Sequence, residues 1–243
     1  MSSFKSWVDY FSLLLILNLE FRDDRRREMK DELDNVDIEI NGNVQFFKAV
    51  RPNDKGKFSS IGARGCFESH LEMLRKAKDL GAERLLIMED DLTIAPLFNS
   101  KMNFYIEELS DLDWDIVYFG YHMDKEYEIP DVNGYKYLPN DVPVGATHFY
   151  AVNATVIDML IEFLEVVASR EAGDPRGGPM HVDGAITTFR LQNPNVKTLI
   201  ATPCLGFQRP SRTDIGETHF LDKFSLLEPL VTLLRKLKRR LKG

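Results

Sequence analysis

Three consecutive acids, Glu89, Asp90 and Asp91, follow directly on the apolar run Leu85-Leu86-Ile87-Met88. Side chains two apart on an extended segment point the same way, so Glu89 and Asp91 can converge on one ion while Asp90 faces elsewhere. Hard carboxylate oxygens suit Mg2+ or Mn2+, ions that keep some waters and take further ligands from phosphates; a diphosphate leaving group meets that need. Three adjacent acids repel one another, and a cation at the carboxyl end of a sheet strand would neutralise them. Taken alone, the triplet is explained as well by a solvated acidic loop or a helix cap.

Other residues could take part. Asp183, in His181-Val182-Asp183-Gly184, sits at an expected helix start just after a Gly/Pro-rich segment, where a carboxylate can either face a pocket or cap the helix. Gln208, Arg209 and Arg212 form a polar, positive stretch suited to a pyrophosphate or an acidic acceptor. His181 and His219 are further candidates for a metal or phosphate contact, and a surface histidine is the plainer reading of each. Cys66 and Cys204, the only cysteines, have no paired metal-ligand spacing and are expected to be core residues in a reducing compartment.

These groups need a frame, and the chain is long enough to build one: 243 residues, 44% apolar and 28% charged, support one large globular domain. The formal charge of -7 argues against nucleic acid as a partner, which is held by clustered Lys and Arg. Leu13 to Leu17 is too short an apolar run to span a bilayer and lacks a basic leader, so a cytosolic chain is expected.

Buried strands are expected at 12–19, 44–50, 84–88, 114–119, 147–152 and 196–201, because short apolar runs bounded by polar residues are what a parallel sheet covered on both faces requires. Helices are expected at 23–33, 66–80, 154–168 and 182–190. The first is charged; the second is opened by Gly62 to Gly65 and stopped by Gly81. Between them, 121–141 reads as an ordered surface loop, 173–179 as a flexible lid-like segment and 204–218 as irregular. From Pro229 onward, Leu230, Leu233, Leu234, Leu237 and Leu241 fall at helical spacing among Lys and Arg. Such a basic amphipathic helix could lie on an anionic membrane or pack on protein. The division expected is a domain over 1–221 and this helix over 222–243.

Gly62-Ala63-Arg64-Gly65-Cys66-Phe67-Glu68-Ser69-His70, followed by Gly81 and the strand into Glu89-Asp90-Asp91-Leu92, resembles the G-x-x-G-C-x-x-S-H and hydrophobic-E-D-D signature of glycosyltransferase family 25. That family contains bacterial lipooligosaccharide and collagen galactosyltransferases. The resemblance runs in order along most of the chain. Leu17-Asn18-Leu19-Glu20 with Asp24-Arg25-Arg26 is similar to the opening I-N-L-D and D-R-R, and Trp114 to Gly120 to the W-D-hydrophobic-G strand. Gly145 to Tyr150, Val182-Asp183, Gly206-Phe207-Gln208 and Asp214-Ile215-Gly216 resemble the later elements. Glu20 replaces the usual aspartate, Phe149 a small residue and His181 a proline.

The resemblance implies an α/β GT-A fold, a Rossmann-like single domain with a mostly parallel central sheet. It implies a nucleotide-sugar donor, UDP-galactose first among UDP-hexoses, and a glycan, lipopolysaccharide, glycolipid or glycoprotein acceptor. Asn18, Glu20 and Arg25 would then lie near the nucleotide, His70 would approach the donor, Gln208 would contact it, and Asp90 would touch the donor sugar. Glu89 and Asp91 would hold Mn2+ or Mg2+, which stabilises the departing diphosphate as a Lewis acid. Asp183 would take the acceptor proton in an inverting transfer. Two other readings stay open: a catalytically inactive GT-A-like binder of nucleotide sugars, and a metal-dependent phosphohydrolase.

Overall fold

A computed structural model describes residues 7–209, apart from the side chains of Asn99, Ser100 and Met102. In chain order the elements are α1 (Trp7–Tyr10), β1 (Leu13–Asn18), α2 (Asp23–Asp34), β2 (Val44–Lys48), α3 (Ile61–Asp79), β3 (Arg84–Glu89), β4 (Leu92–Ile94), α4 (Leu97–Asp111), β5 (Ile116–His122), β6 (Tyr135–Leu138), β7 (Gly145–Asn153), α5 (Ala154–Ser169), α6 (Val182–Gln192), β8 (Thr198–Ala201) and β9 (Gly206–Gln208). Seven strands form one sheet in the order β2-β1-β3-β7-β5-β8-β6; β4 and β9 pair separately.

Successive strand residues serve opposite faces, and both faces are covered by helices. Leu13, Leu15, Leu85, Ile87 and Tyr150 pack on one side with Phe67 and Leu74 of α3, Leu160 of α5 and Ile186 of α6. Leu14, Ile16, Leu86, Met88 and Phe149 pack on the other with Trp7, Met29 and Leu33 of α1 and α2, and with Phe98 and Tyr105 of α4. Burying both faces is why β1 reads as the uninterrupted run Leu-Leu-Leu-Ile-Leu; each fully buried Leu or Ile contributes roughly 2 kcal/mol.

The α/β architecture is as expected, but the sheet is mixed rather than mostly parallel. β1 runs parallel to β2 and β3, and β5 to β8, whereas β7 is antiparallel to both β3 and β5, and β6 to β8. A strand buried on both faces has the same continuous apolar pattern in either direction, so the run Phe149-Tyr150-Ala151-Val152 carries no signal of its polarity.

The segment expected as a loop, 121–141, contributes β6, which closes the sheet edge against β8. The lid-like segment is tied down: Arg170 donates to the carbonyls of Arg176 and Gly177, and Gln192 to that of Arg176. No helix among the described residues is long and apolar enough to cross a membrane. The basic C-terminal helix expected over 222–243, with Arg212 and His219, lies outside the described residues.

Candidate active site

The acid triplet lies where the sheet's topology concentrates strand ends. β1, β3 and β5 all finish at one edge, and β7, running the other way, begins there. Ligands of open α/β sheets bind at such carboxyl edges. β3 ends on Glu89, the Asp90 N–H donates to the Leu17 carbonyl at 3.1 Å, and the chain turns through Asp90 and Asp91 into β4. The extended geometry therefore stops at Glu89, and the side chains of the next two acids are directed by the turn rather than by strand alternation.

Asp90 and Asp91 are both buried. The Asn18 side-chain amide donates to Asp90 Oδ2 at 2.7 Å, and Arg25 Nη1 to Asp90 Oδ1 at 3.0 Å. The same guanidinium nitrogen lies 3.5 Å from Asp91 Oδ2, which also accepts from Gln208 Nε2 at 3.3 Å. Asp91 Oδ1 is buried with no hydrogen-bond partner. Burial, then the charge of Glu89, pushes the Asp91 carboxyl up to about 7, with Arg25 opposing the shift. Asp90 is also raised, by burial, although Asn18 and Arg25 oppose this. A buried carboxylate that lacks a partner on one oxygen needs either a proton or a cation.

Glu89 has partners of its own, on β7 and α3. Its Oε1 accepts from Thr147 Oγ1 at 3.0 Å and lies 3.5 Å from His70 Nε2. Burial works against its ionisation, but His70, His148 and Thr147 together draw its carboxyl below the usual range. His70 is fully buried, and its Nδ1 meets the Tyr150 hydroxyl at 2.9 Å. It is carried by α3, which begins at Ile61, just before the glycines, with Ser60 Oγ accepting from the Ala63 N–H. At the other end Gly81, at φ +62°, stops α3 as expected: Gly81 N–H bonds to the Lys78 carbonyl and Ala82 N–H to that of Ala77.

Asp183 lies in the first turn of α6 and reaches β7. Its Oδ2 accepts from the Ala146 N–H at 3.2 Å and its Oδ1 from its own Gly184 N–H at 2.8 Å. Ala146 has φ +70°, a left-handed conformation that costs a non-glycine residue about 1–2 kcal/mol. Asp183 thus holds a strained backbone turn at the start of β7. The thiol of half-buried Cys66 is pushed well up by desolvation and then by the charges of Glu89, Asp183 and Asp91, so these three acids face a common region.

Two glycines show why the edge closes. A Cβ on Gly120 would run into the His148 ring and lie 2.9 Å from the Gly206 carbonyl; one on Gly206 would lie 2.6 Å from Leu92 and 2.8 Å from Phe149. With both positions bare, β9 lies against β4, and Arg209 follows on to donate to the Asp90 carbonyl at 2.6 Å while standing 3.6 Å from Glu32.

Of the residues singled out in the sequence, Asn18, Arg25, Asp90, Asp91 and Gln208 meet in one group joined by hydrogen bonds and the Arg25–Asp91 ion pair, and His70 meets Glu89. Glu20 stands apart, exposed and paired with Lys48 at 2.6 Å. His181 is exposed ahead of α6. Thr147 and His148 escaped notice because β7 was legible only as an apolar run; their neighbourhood with Glu89 follows from a pairing that sequence spacing does not reveal.

This fold is shared with solved structures. One, a glycosyltransferase involved in the glycosylation of the major capsid of PBCV-1, matches with a TM-score of 0.53 and 12% identity over 83% of this chain and 93% of that one. The α/β layering around a mixed sheet is therefore of the GT-A-like kind. The sequence model described as "Glycosyltransferase family 25 (LPS biosynthesis protein)" matches residues 11–138, just over half of the chain, and the protein belongs to that family. It is 28% identical over 131 residues to a "Glycosyltransferase 25 family member" of Aedes aegypti, and 29% identical over 129 residues to "Procollagen galactosyltransferase 2" of Homo sapiens. Each match spans 45% of this chain and 21% of the relative. The family match contains Asn18, Arg25, His70 and the acid triplet, and stops before Asp183 and Gln208.

Proposed function

We propose that the protein is a metal-dependent glycosyltransferase that moves a hexose, with UDP-galactose the first donor to test, to a glycan, glycolipid or glycoprotein acceptor. The observation that carries this reading is Asp91: buried, raised to about 7 and unpartnered at Oδ1, one turn from Glu89 at the sheet's carboxyl edge. The all-oxygen donors Glu89 and Asp91 fit Mn2+ or Mg2+. Such a cation, when bound, supplies Lewis-acid stabilisation to a departing diphosphate.

The chain's own residues supply the rest. Arg25 and Asn18 fix the Asp90 carboxylate, leaving it oriented to accept hydroxyls of the donor sugar, while Gln208 holds Asp91. Asp183 accepts the acceptor's hydroxyl proton with a lone pair not used by the Ala146 and Gly184 N–H groups. The first acceptors to test are a collagen-like protein, after the relatives named procollagen galactosyltransferase 2, and a saccharide.

A screen of nucleotide sugars for Mn2+-dependent hydrolysis tests the reading. Turnover of one UDP-hexose that disappears in Asp91→Ala with the fold intact supports it. Thermal stabilisation by UDP and Mn2+ with no turnover of any donor would instead identify an inactive binder.

A further inference from the structure

Glu89 also belongs to a second kind of donor set, outside its proposed pairing with Asp91. Cys66, His70 and Glu89 each bring one ligand atom to within 4.8 Å of the other two. Cys66 and His70 are four residues apart on α3, so their side chains share one face of the helix. The His70 ring is fully buried, and its Nδ1 is engaged by the Tyr150 hydroxyl at 2.9 Å, which fixes the ring and turns Nε2 toward Glu89. That Nε2 has no hydrogen-bond partner and stands 3.5 Å from the carboxylate.

A histidine oriented through one nitrogen by an outer partner, with its other nitrogen left open beside a thiol and a carboxylate, is the arrangement that binds borderline-soft cations. We propose that Cys66 Sγ, His70 Nε2 and a Glu89 oxygen form a three-ligand site for a thiophilic divalent cation such as Zn2+, with the fourth position open to water. Mg2+ and Mn2+ do not compete well there, because they prefer oxygen over thiolate. Binding converts the Cys66 thiol to thiolate and releases its proton to solvent. Its neighbours explain why the pocket invites a cation: Glu89, Asp183 and Asp91 all bear negatively on the thiol.

One consequence, which unlike binding rests on the function proposed above, is inhibition. An ion seated on Cys66 and His70 draws Glu89 away from the oxygen-donor site, so Zn2+ opposes Mn2+-supported turnover and Cys66→Ser relieves the inhibition.

The test uses Co2+ as a spectroscopic substitute for Zn2+ on the full chain, with no sugar donor present. A thiolate-to-cobalt charge-transfer band is expected in the parent, in Cys204→Ser and in Asp91→Asn. It is lost in Cys66→Ser, where competition with Zn2+ gives an affinity at least ~10-fold weaker. No such band in the parent, or a band that survives Cys66→Ser, overturns the proposal. Should Cys66→Ser fail to fold, protection of Cys66 but not Cys204 from alkylation by Zn2+ in the parent decides the matter: equal labelling with and without Zn2+ overturns it. Because the assay requires no turnover, its failure leaves the glycosyl-transfer reading standing, and the converse holds.

Discussion

Arg25 and Asp90, 65 residues apart, meet at 3.0 Å at the sheet's carboxyl edge, and the same guanidinium nitrogen is 3.5 Å from Asp91. A helix that by its composition belongs to the solvent thus sends one of its three consecutive arginines inward as a permanent counter-charge. Its neighbour Arg26 instead lies over the Phe46 ring at 4.2 Å. Removing one partner of a buried pair leaves the other charge uncompensated. Arg25→Ala is expected to lower stability by about 3 kcal/mol. Denaturant melts with and without Mn2+ check this: the cation recovers part of the loss by replacing the missing charge.

Asp91 makes stability depend on pH. Its folded-state pKa, about 7, lies above the ordinary 3.8, so between these values the folded protein keeps a proton that the unfolded chain has lost. Stability from this group is therefore present at low pH and declines as pH rises through about 7, by a few kcal/mol at most. Melting temperatures in chelator from about pH 5 to 8 should fall in the parent and much less in Asp91→Asn. A parent curve that rises across that window would contradict the assignment.

Asp183→Asn separates two jobs. The amide keeps one acceptor oxygen for the Ala146 or Gly184 N–H but cannot take a proton from an acceptor. Loss of one hydrogen bond is worth about 1 kcal/mol of stability. Turnover is expected to fall by roughly 10²–10⁴-fold. Parent-level transfer would show that Asp183 only holds the Ala146 turn.

Gly120→Ala places a methyl against the His148 ring and the Gly206 carbonyl. Overpacking of this kind costs about 1–3 kcal/mol, and chemical denaturation reads it directly. A companion Ala146→Gly, relieving the left-handed residue at φ +70°, is expected to stabilise by about 1 kcal/mol.

Much of this was legible in the residues. The runs Leu13 to Leu17 and Leu85 to Met88 announced buried strands because both sheet faces are covered, and Gly81 announced the end of α3 because it needs φ +62°. The ordered motifs brought Asn18, Arg25 and the acid triplet to attention. What stayed hidden was whatever depends on direction or on pairing across the chain. The polarity of β7, the strand β6 within an apparently irregular stretch, and α4, whose Leu97 to Asp111 lacks a side-chain N-cap, are of that kind. Cys66 read as a core residue because a four-residue spacing to His70 says nothing until Glu89 arrives from another element.

The pairing of β9 with β4 has a consequence for the order in which the molecule can be completed. Gln208 and Arg209 reach back 117 and 119 residues to Asp91 and Asp90, and Leu205 is bonded to Phe119. During synthesis, β1, α2 and β3 can assemble long before that segment exists, leaving two buried acids with Arg25 as their main counter-charge. Such distant contacts also form late in refolding, because closing long loops is entropically costly. The acid cluster is thus the last part of the sheet edge to become electrostatically settled, and a chain halted before residue 205 would carry the motif without the strand that finishes it.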